Sequence, residues 1–152
     1  MFADRRTARA RPIPTRVPVS NSEAAECETA PIDERDIAAV AARALYEDGH
    51  AGGDYVLTGP ESLSQAERVR TIAGVIGRRI HFHELSPEEF RREMAGRMPG
   101  PIAEMLLGAW RATIGLPAYV TSTVADIVGS PPRTFRQWVA DHADAFRSSS
   151  QG

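Results

Sequence analysis

The stretch DYVLTGPESLSQAERVRTIAGVIGRRIHFHE, residues 54–84, decides the predicted fold because two strand-like segments flank one amphipathic helix. Residues 55–58 are aromatic and β-branched and are followed by Gly-Pro, a pattern that predicts a short buried strand. Ser64 and Glu67 form a capping-box pattern ahead of an apolar stripe, which predicts the helix. Residues 80–84 alternate apolar and polar and predict a second strand. Together they predict a right-handed β-α-β unit with two parallel strands.

Helix signals occupy most of the remaining periodic sequence. Asp33 is placed to N-cap a helix whose predicted buried face consists of Ile37, Val40, Ala41, Ala44 and Leu45. Further helices are predicted after Ser86, over 102–115, from Thr123 and from Thr134. The fold class is therefore α/β, a small helix-rich lobe with a two-stranded parallel sheet. Such a sheet adds little stability alone, so we expect an exposed apolar surface that meets another copy or another chain.

The chain divides into three predicted parts. Residues 1–30 combine arginines, prolines and then glutamates without apolar periodicity, which predicts a disordered segment. Residues 31–147 form the folded lobe, and residues 148–152 are a predicted disordered tail. The longest apolar runs are far shorter than the roughly 18–20 residues that span a bilayer, and no secretory h-region is found, so we expect a cytoplasmic protein.

Composition excludes several classes of function. The 18 basic residues are all arginine, so no mechanism that needs a lysine amine is available. A net charge of −2, with arginines interspersed among acids, predicts no nucleic-acid surface. The single cysteine, Cys27, lies between two glutamates, which disfavour a reactive thiolate. No residue is therefore assigned a catalytic role.

Several segments in a fixed order resemble the C-terminal part of NmrA-like proteins, a group of atypical short-chain dehydrogenase/reductases. The matching segments are PIDERDIAAV (31–40), YVLTGP (55–60), LS (63–64), GRRI (77–80) and GSPPRTF (129–135), the last followed by Trp138 and Val139. The resemblance covers roughly residues 31–146. It implies an NAD(P)-binding, oxidoreductase-like protein of which this chain represents the smaller, substrate-side lobe.

Two features of that family are missing from the sequence. No Gly-x-Gly-x-x-Gly turn follows a strand and opens a helix, so the dinucleotide-binding half is absent. The Tyr-x-x-x-Lys pair is also absent, since His50, Gly59 and Thr123 lie four residues after the three tyrosines. The chain is therefore expected to bind no cofactor alone, whereas NAD(P) is implied for a full-length relative.

The resemblance also suggests where a ligand lies. In the family, the segment corresponding to Pro31, Ile32 and Asp33 leads from the cofactor domain toward the substrate cleft, so these three residues are the substrate-cleft candidates. A plain helix cap explains Asp33 equally well, and we favour the cap.

Two other groups have a structural and a functional interpretation. His81 and His83 share one face of a predicted strand and precede Glu84, which allows a metal site, but no third ligand is near and solvent-facing histidines are favoured. An apolar group could line a pocket, although its helical spacing is more typical of core: Phe90, Met94, Met105, Leu106 and Trp110.

Two functions remain open. The preferred one is a truncated oxidoreductase-like protein, the substrate-side lobe of an NmrA-like reductase, which is not catalytic alone and whose partner is a separate Rossmann-domain chain. The alternative is a free-standing homodimer that binds a small molecule or regulates a protein partner.

Overall fold

The structure is a computed structural model that describes residues 16–20 and 26–147. The strands are β1 (Arg16–Ser20), β2 (Glu28–Thr29), β3 (Leu63–Ser64) and β4 (His81–Leu85). The helices are α1 (Glu34–Tyr46), α2 (Gln65–Ile76), α3 (Pro87–Met94), α4 (Gly100–Thr113), α5 (Thr123–Val128), α6 (Phe135–Asp141) and α7 (Ala143–Arg147). The described residues therefore form an α/β, helix-rich fold with few strands.

The predicted parallel pair between residues 55–58 and 80–84 is wrong in its first strand. β4 pairs in parallel with β1 instead, and residues 55–58 are extended without being part of a strand. Thr121 binds this segment from another loop, because its backbone N–H donates to Thr58 Oγ1 (2.9 Å) and its hydroxyl donates to the Val56 carbonyl (3.0 Å). The second bond satisfies the Val56 carbonyl, a backbone group that a ladder would otherwise have paired. A second small sheet pairs β2 with β3 in antiparallel orientation.

Within residues 1–30, for which the sequence predicts disorder, the structure describes residues 16–20 and 26–30. Residues 16–20 form β1, and Cys27, at 4% exposure, is buried just before β2. Backbone pairing needs no apolar periodicity, which is why the composition of this segment gave no strand signal. Residues 1–15 and 21–25, and the predicted tail at 148–152, lie outside the described residues.

Predictions based on local capping chemistry are confirmed. The predicted cap residues Asp33, Ser64, Ser86 and Thr134 each accept a hydrogen bond from a backbone N–H of the following turn. The helix predicted to begin after Thr134 is divided at His142 into α6 and α7. α5 begins at Thr123, with Ser122 in the N-cap position.

The core consists of small apolar side chains between helices. α2 packs on α6, and α1 packs on α5. Val124 and Val139 are the most completely buried side chains, at 1% and 0% exposure. A separate cluster joins α3 to α4 through Phe90, Ala103 and Leu107, with Met94, Met98 and Trp110 against it. None of the described helices is long and apolar enough to cross a membrane.

The predicted buried face of α1 is mostly exposed. Val40 is buried, but Ile37 is 44% exposed and Leu45 is 83% exposed. Asp36, one helical turn before Val40, is buried on the same side of the helix at 4% exposure. Part of the apolar surface of α1 therefore has no covering layer among the described residues.

Candidate functional site

A cavity of about 180 Å³ lies between the segment before α1 and the first turn of α6. Its walls are Pro31, Ile32, Asp33, Thr134, Phe135 and Trp138. The three residues that the sequence suggested as cleft residues thus form one wall, while the other wall was not assigned to a site. Whether a ligand occupies the cavity stays a prediction.

The position of Pro31 depends on a close approach by Gly59. The Gly59 N–H donates to the Ala30 carbonyl (3.2 Å). A Cβ atom added at Gly59 would lie only 1.9 Å from the Pro31 carbonyl oxygen and 2.7 Å from its carbonyl carbon. Only glycine therefore allows the 55–60 loop to pack behind this wall of the cavity.

Asp33 caps α1 and is fully engaged by Arg35. Its carboxylate accepts hydrogen bonds from the Arg35 backbone N–H (2.8 Å), Nε (2.9 Å) and Nη2 (2.6 Å). The side-chain bonds from Arg35 outweigh the effect of burial and lower the pKa of Asp33 from 3.8 to about 2. Arg35 also pairs with Asp141 of α6 (2.7 Å). Asp33 is therefore a permanent carboxylate near neutral pH and has no proton to donate as a general acid.

An ion pair between a buried carboxylate and an exposed arginine attaches the loop before α6 to α1. The Arg133 backbone N–H donates to Asp36 Oδ2 (2.7 Å), and the Arg133 guanidinium pairs with Asp36 Oδ1. Asp36 is 4% exposed, so nearly all of its hydrogen bonding must come from the protein. Since Thr134 directly follows Arg133, this pair positions the start of the second cavity wall.

Trp138 is oriented by α1 and by its aromatic neighbours. Its indole N–H donates to Glu34 Oε2 (2.8 Å). Its ring is nearly parallel to that of Phe135, with centroids 6.1 Å apart and 13° between the planes. It also stacks on His142, with centroids 4.5 Å apart. The Phe135 and Trp138 rings, which both line the cavity, are therefore nearly parallel to each other.

Thr134 uses its hydroxyl within its own helix. The hydroxyl donates to Gln137 Oε1 (3.1 Å) and accepts from the Gln137 backbone N–H (3.2 Å). The backbone N–H of Thr134 also donates to Gln137 Oε1 (2.8 Å). This reciprocal capping box fixes the first turn of α6 at the edge of the cavity.

The other candidate residues lie elsewhere. His81 and His83 are exposed, and the described residues contain no cluster of three or more His, Cys, Asp or Glu suited to a metal ion. Cys27 Sγ lies 3.1 Å from Thr113 Oγ1 in a buried position. Most of the predicted apolar group on α3 and α4 packs in the core, which is the interpretation that its helical spacing favoured. Met105 is the exception, with 64% exposure.

The sequence missed Asp36 and its partner. Asp36 lies four residues before Val40, a spacing that places both residues on one face of the helix. An acid on a buried face requires a partner. That partner, Arg133, lies 97 residues away, and no local pattern connects the two. Trp138 appeared only as part of the family resemblance.

The chain is related in sequence to curated reductases. It is 40% identical over 116 residues to the (4-alkanoyl-5-oxo-2,5-dihydrofuran-3-yl)methyl phosphate reductase of Streptomyces griseus subsp. griseus, a match that covers 76% of this chain and 41% of that protein. It is 36% identical over 119 residues to the NAD(P)H azoreductase of Xenophilus azovorans, again covering 76% and 41%. The chain thus spans about two fifths of the length of these relatives. No protein-family model matches the chain.

Solved reductase structures share the fold. The NADPH-dependent quinone oxidoreductase QOR2 of Escherichia coli superposes with a TM-score of 0.63 at 23% identity, covering 82% of this chain and 46% of that one. The triphenylmethane reductase of Citrobacter sp., complexed with NADP(H), gives 0.64 at 20% identity, covering 83% and 44%. The fold therefore matches the C-terminal part of NAD(P)-binding reductases.

Proposed function

We propose that this chain is the substrate-side lobe of an NmrA-like, NAD(P)H-dependent reductase and that the cavity between residues 31–33 and α6 is its ligand site. One observation carries the proposal. The chain is 40% identical to a reductase of which it spans 41%, and the three residues expected to border a ligand line this cavity. In this proposal the cofactor-binding half is contributed by sequence outside these 152 residues, as a separate chain or as part of a longer one.

The described residues do not fit a dinucleotide. A pyrophosphate needs free N–H groups at a helix N-terminus that follows a strand. In the part of the chain that the structure describes, α2 and α3 begin within two residues of a strand and are capped by Ser64 and Ser86, and α1, which follows β2 across residues 30–33, is capped by Asp33. Glu67 and Glu89 complete each capping box, and bonds from the cap serines lower the pKa of both carboxyl groups. Fixed negative charge at these helix starts disfavours phosphate, so reduction requires the missing half.

A titration with NADPH tests this function. The full 152-residue chain is mixed with NADPH and followed by calorimetry, with the Xenophilus azovorans azoreductase as the positive control under the same conditions. We expect heat from the control and none from the chain at micromolar concentrations. Micromolar binding by the chain would contradict the proposed division between cofactor half and substrate lobe.

A free-standing homodimeric module is the second candidate, and the surface of α1 favours it. Ile37, Leu45 and Tyr46 are large apolar side chains of this helix that are 44%, 83% and 90% exposed, and a partner surface would bury them. Sedimentation of the chain separates the two candidates. A stable dimer that Leu45→Asp converts to a monomer supports the module, whereas a monomer supports the lobe.

A further inference from the structure

We infer that the cavity binds a single uncharged aromatic ring, an inference that rests on the proposed function and specifies the ligand class of its site. The cavity combines three properties that together select such a ligand. The polar side chains of its walls are already hydrogen-bonded within the protein, its apolar wall includes two nearly parallel aromatic rings, and its volume is that of one ring.

The polar side chains on the walls have little capacity left for a ligand. The Asp33 carboxylate accepts three hydrogen bonds from Arg35, and the Thr134 hydroxyl both donates to and accepts from Gln137. The Trp138 indole N–H donates to Glu34. A charged ligand entering the cavity would lose its hydration without gaining a free counter-charge from these groups. The walls therefore disfavour carboxylates, phosphates and ammonium groups alike.

The apolar side chains favour a flat ligand. Pro31 and Ile32 form one wall, and Phe135 and Trp138 form the other with 13° between their planes. Aromatic rings gain from offset or edge contacts with one another beyond the burial of area alone. A planar ring between these walls thus gains more than a saturated ring of equal size.

The volume limits the ligand to about one ring. The cavity measures about 180 Å³. An apolar protein cavity of about 150 Å³ is known to bind benzene, whereas pockets for larger molecules measure about 300–1,000 Å³. A dinucleotide does not fit, and a larger substrate would place only one ring here.

The test uses four ring probes of similar size and the full chain. Benzyl alcohol is neutral and flat, benzoate is anionic, benzylamine is cationic and cyclohexylmethanol is neutral but not flat. Binding is followed by NMR through the indole N–H signal of Trp138. The only other tryptophan, Trp110, packs against Phe90 with ring centroids 5.4 Å apart and is the internal reference.

We expect benzyl alcohol to shift the Trp138 signal and leave the Trp110 signal in place. Benzoate and benzylamine should bind at least about tenfold more weakly, and cyclohexylmethanol about three- to tenfold more weakly. Equal or tighter binding of either charged probe would overturn the inference, as would the absence of any Trp138 shift up to the solubility limit of benzyl alcohol. Neither outcome depends on NADPH, so this test and that of the proposed function fail separately.

Two variants connect the binding to the cavity. Ile32→Phe fills the space and should abolish the shift, while Ile37→Phe, at a position 44% exposed on α1, is the matched control and should not. Phe135→Leu keeps the wall apolar but removes one ring, so it should remove the preference for benzyl alcohol over cyclohexylmethanol. Retention of binding in Ile32→Phe, or of the preference in Phe135→Leu, would contradict the assignment.

Discussion

Helices α3 and α4 pack through Phe90 and Leu107, whereas the two cavity walls are joined by polar side chains that are distant in sequence. Asp36 and Arg133 are 97 residues apart, and Glu34 and Trp138 are 104 residues apart. The first region uses apolar contact between neighbouring helices. The second uses directional bonds, which fix the walls of a cavity at defined positions. The difference indicates that the positions of the cavity walls depend on specific polar partners, whereas the α3–α4 cluster depends on apolar packing.

The largest expected effect on stability comes from a substitution in the apolar cluster between α3 and α4. Phe90→Ala should lower the free energy of unfolding by about 3–5 kcal/mol, because it removes the largest side chain of a buried cluster. Urea denaturation measures this loss. The control on the same pair of helices is Glu104→Gln, which weakens the exposed Arg91–Glu104 ion pair and should cost far less, because solvent screens exposed charges. A loss in Phe90→Ala no greater than in the control would contradict apolar packing as the main stabiliser of this region.

Loss of the Asp36–Arg133 pair should have the next largest effect on stability. Asp36→Ala removes a buried carboxylate that binds both the backbone and the guanidinium of Arg133, so we expect about 2 kcal/mol of destabilisation and a changed Trp138 indole signal. Glu47→Ala breaks an exposed pair with Arg43 and is the matched control, with an expected cost below about 1 kcal/mol. If the Trp138 signal is the same in Asp36→Ala as in the wild type, the pair does not position this wall.

Gly59→Ala tests the close approach behind Pro31. Its new Cβ would collide with the Pro31 carbonyl, so we expect a loss of about 1–2 kcal/mol together with weaker binding of benzyl alcohol. Gly74→Ala in α2 meets no atom within 4 Å and should instead gain about 0.5–1 kcal/mol. Thermal melts of both variants show whether each substitution lowers or raises the stability of the chain. A neutral Gly59→Ala would show that the 55–60 loop does not fix the cavity wall.

The smallest effect is the pH dependence due to Asp33. Because its pKa falls from 3.8 to about 2 in the folded state, its stabilisation is present above about pH 4 and is lost as the pH falls toward 2. Arg35 is partly exposed, so solvent screening limits the contribution to about 1 kcal/mol. The stability difference between wild type and Asp33→Asn should therefore shrink over this interval. A constant difference would assign the effect of Asp33 to helix capping alone.

Local sequence patterns predicted the helix caps but not the contacts between distant segments. Asp33, Ser64 and Ser86 were predicted as caps because a cap and its partners lie within one turn of sequence. The partner of β4 was predicted wrongly because the aromatic and β-branched residues at 55–58 resemble a strand, while Thr121 binds this segment through the Thr58 hydroxyl and the Val56 carbonyl. Residues from distant parts of the chain meet only after folding, so a single sequence carries no signal for such contacts.

The same reason explains which half of the cavity was predicted. Residues 31–33 were found through the family resemblance and the start of α1. Phe135 and Trp138 belong to that resemblance as well, but nothing in their spacing connects them to a site more than 100 residues earlier. Their contribution follows from the bond to Glu34 and from the ring geometry.

A chimeric reductase tests whether this chain acts as the substrate-side lobe of a reductase. In the Xenophilus azovorans azoreductase, the segment that matches this chain is replaced by the corresponding segment of this chain. NADPH oxidation is then measured with the azo substrate of that enzyme. We expect NADPH-dependent turnover that Ile32→Phe abolishes while NADPH binding is retained. A chimera that binds NADPH and oxidises it at the same rate with and without Ile32→Phe would contradict the assignment of this chain as the substrate-side lobe.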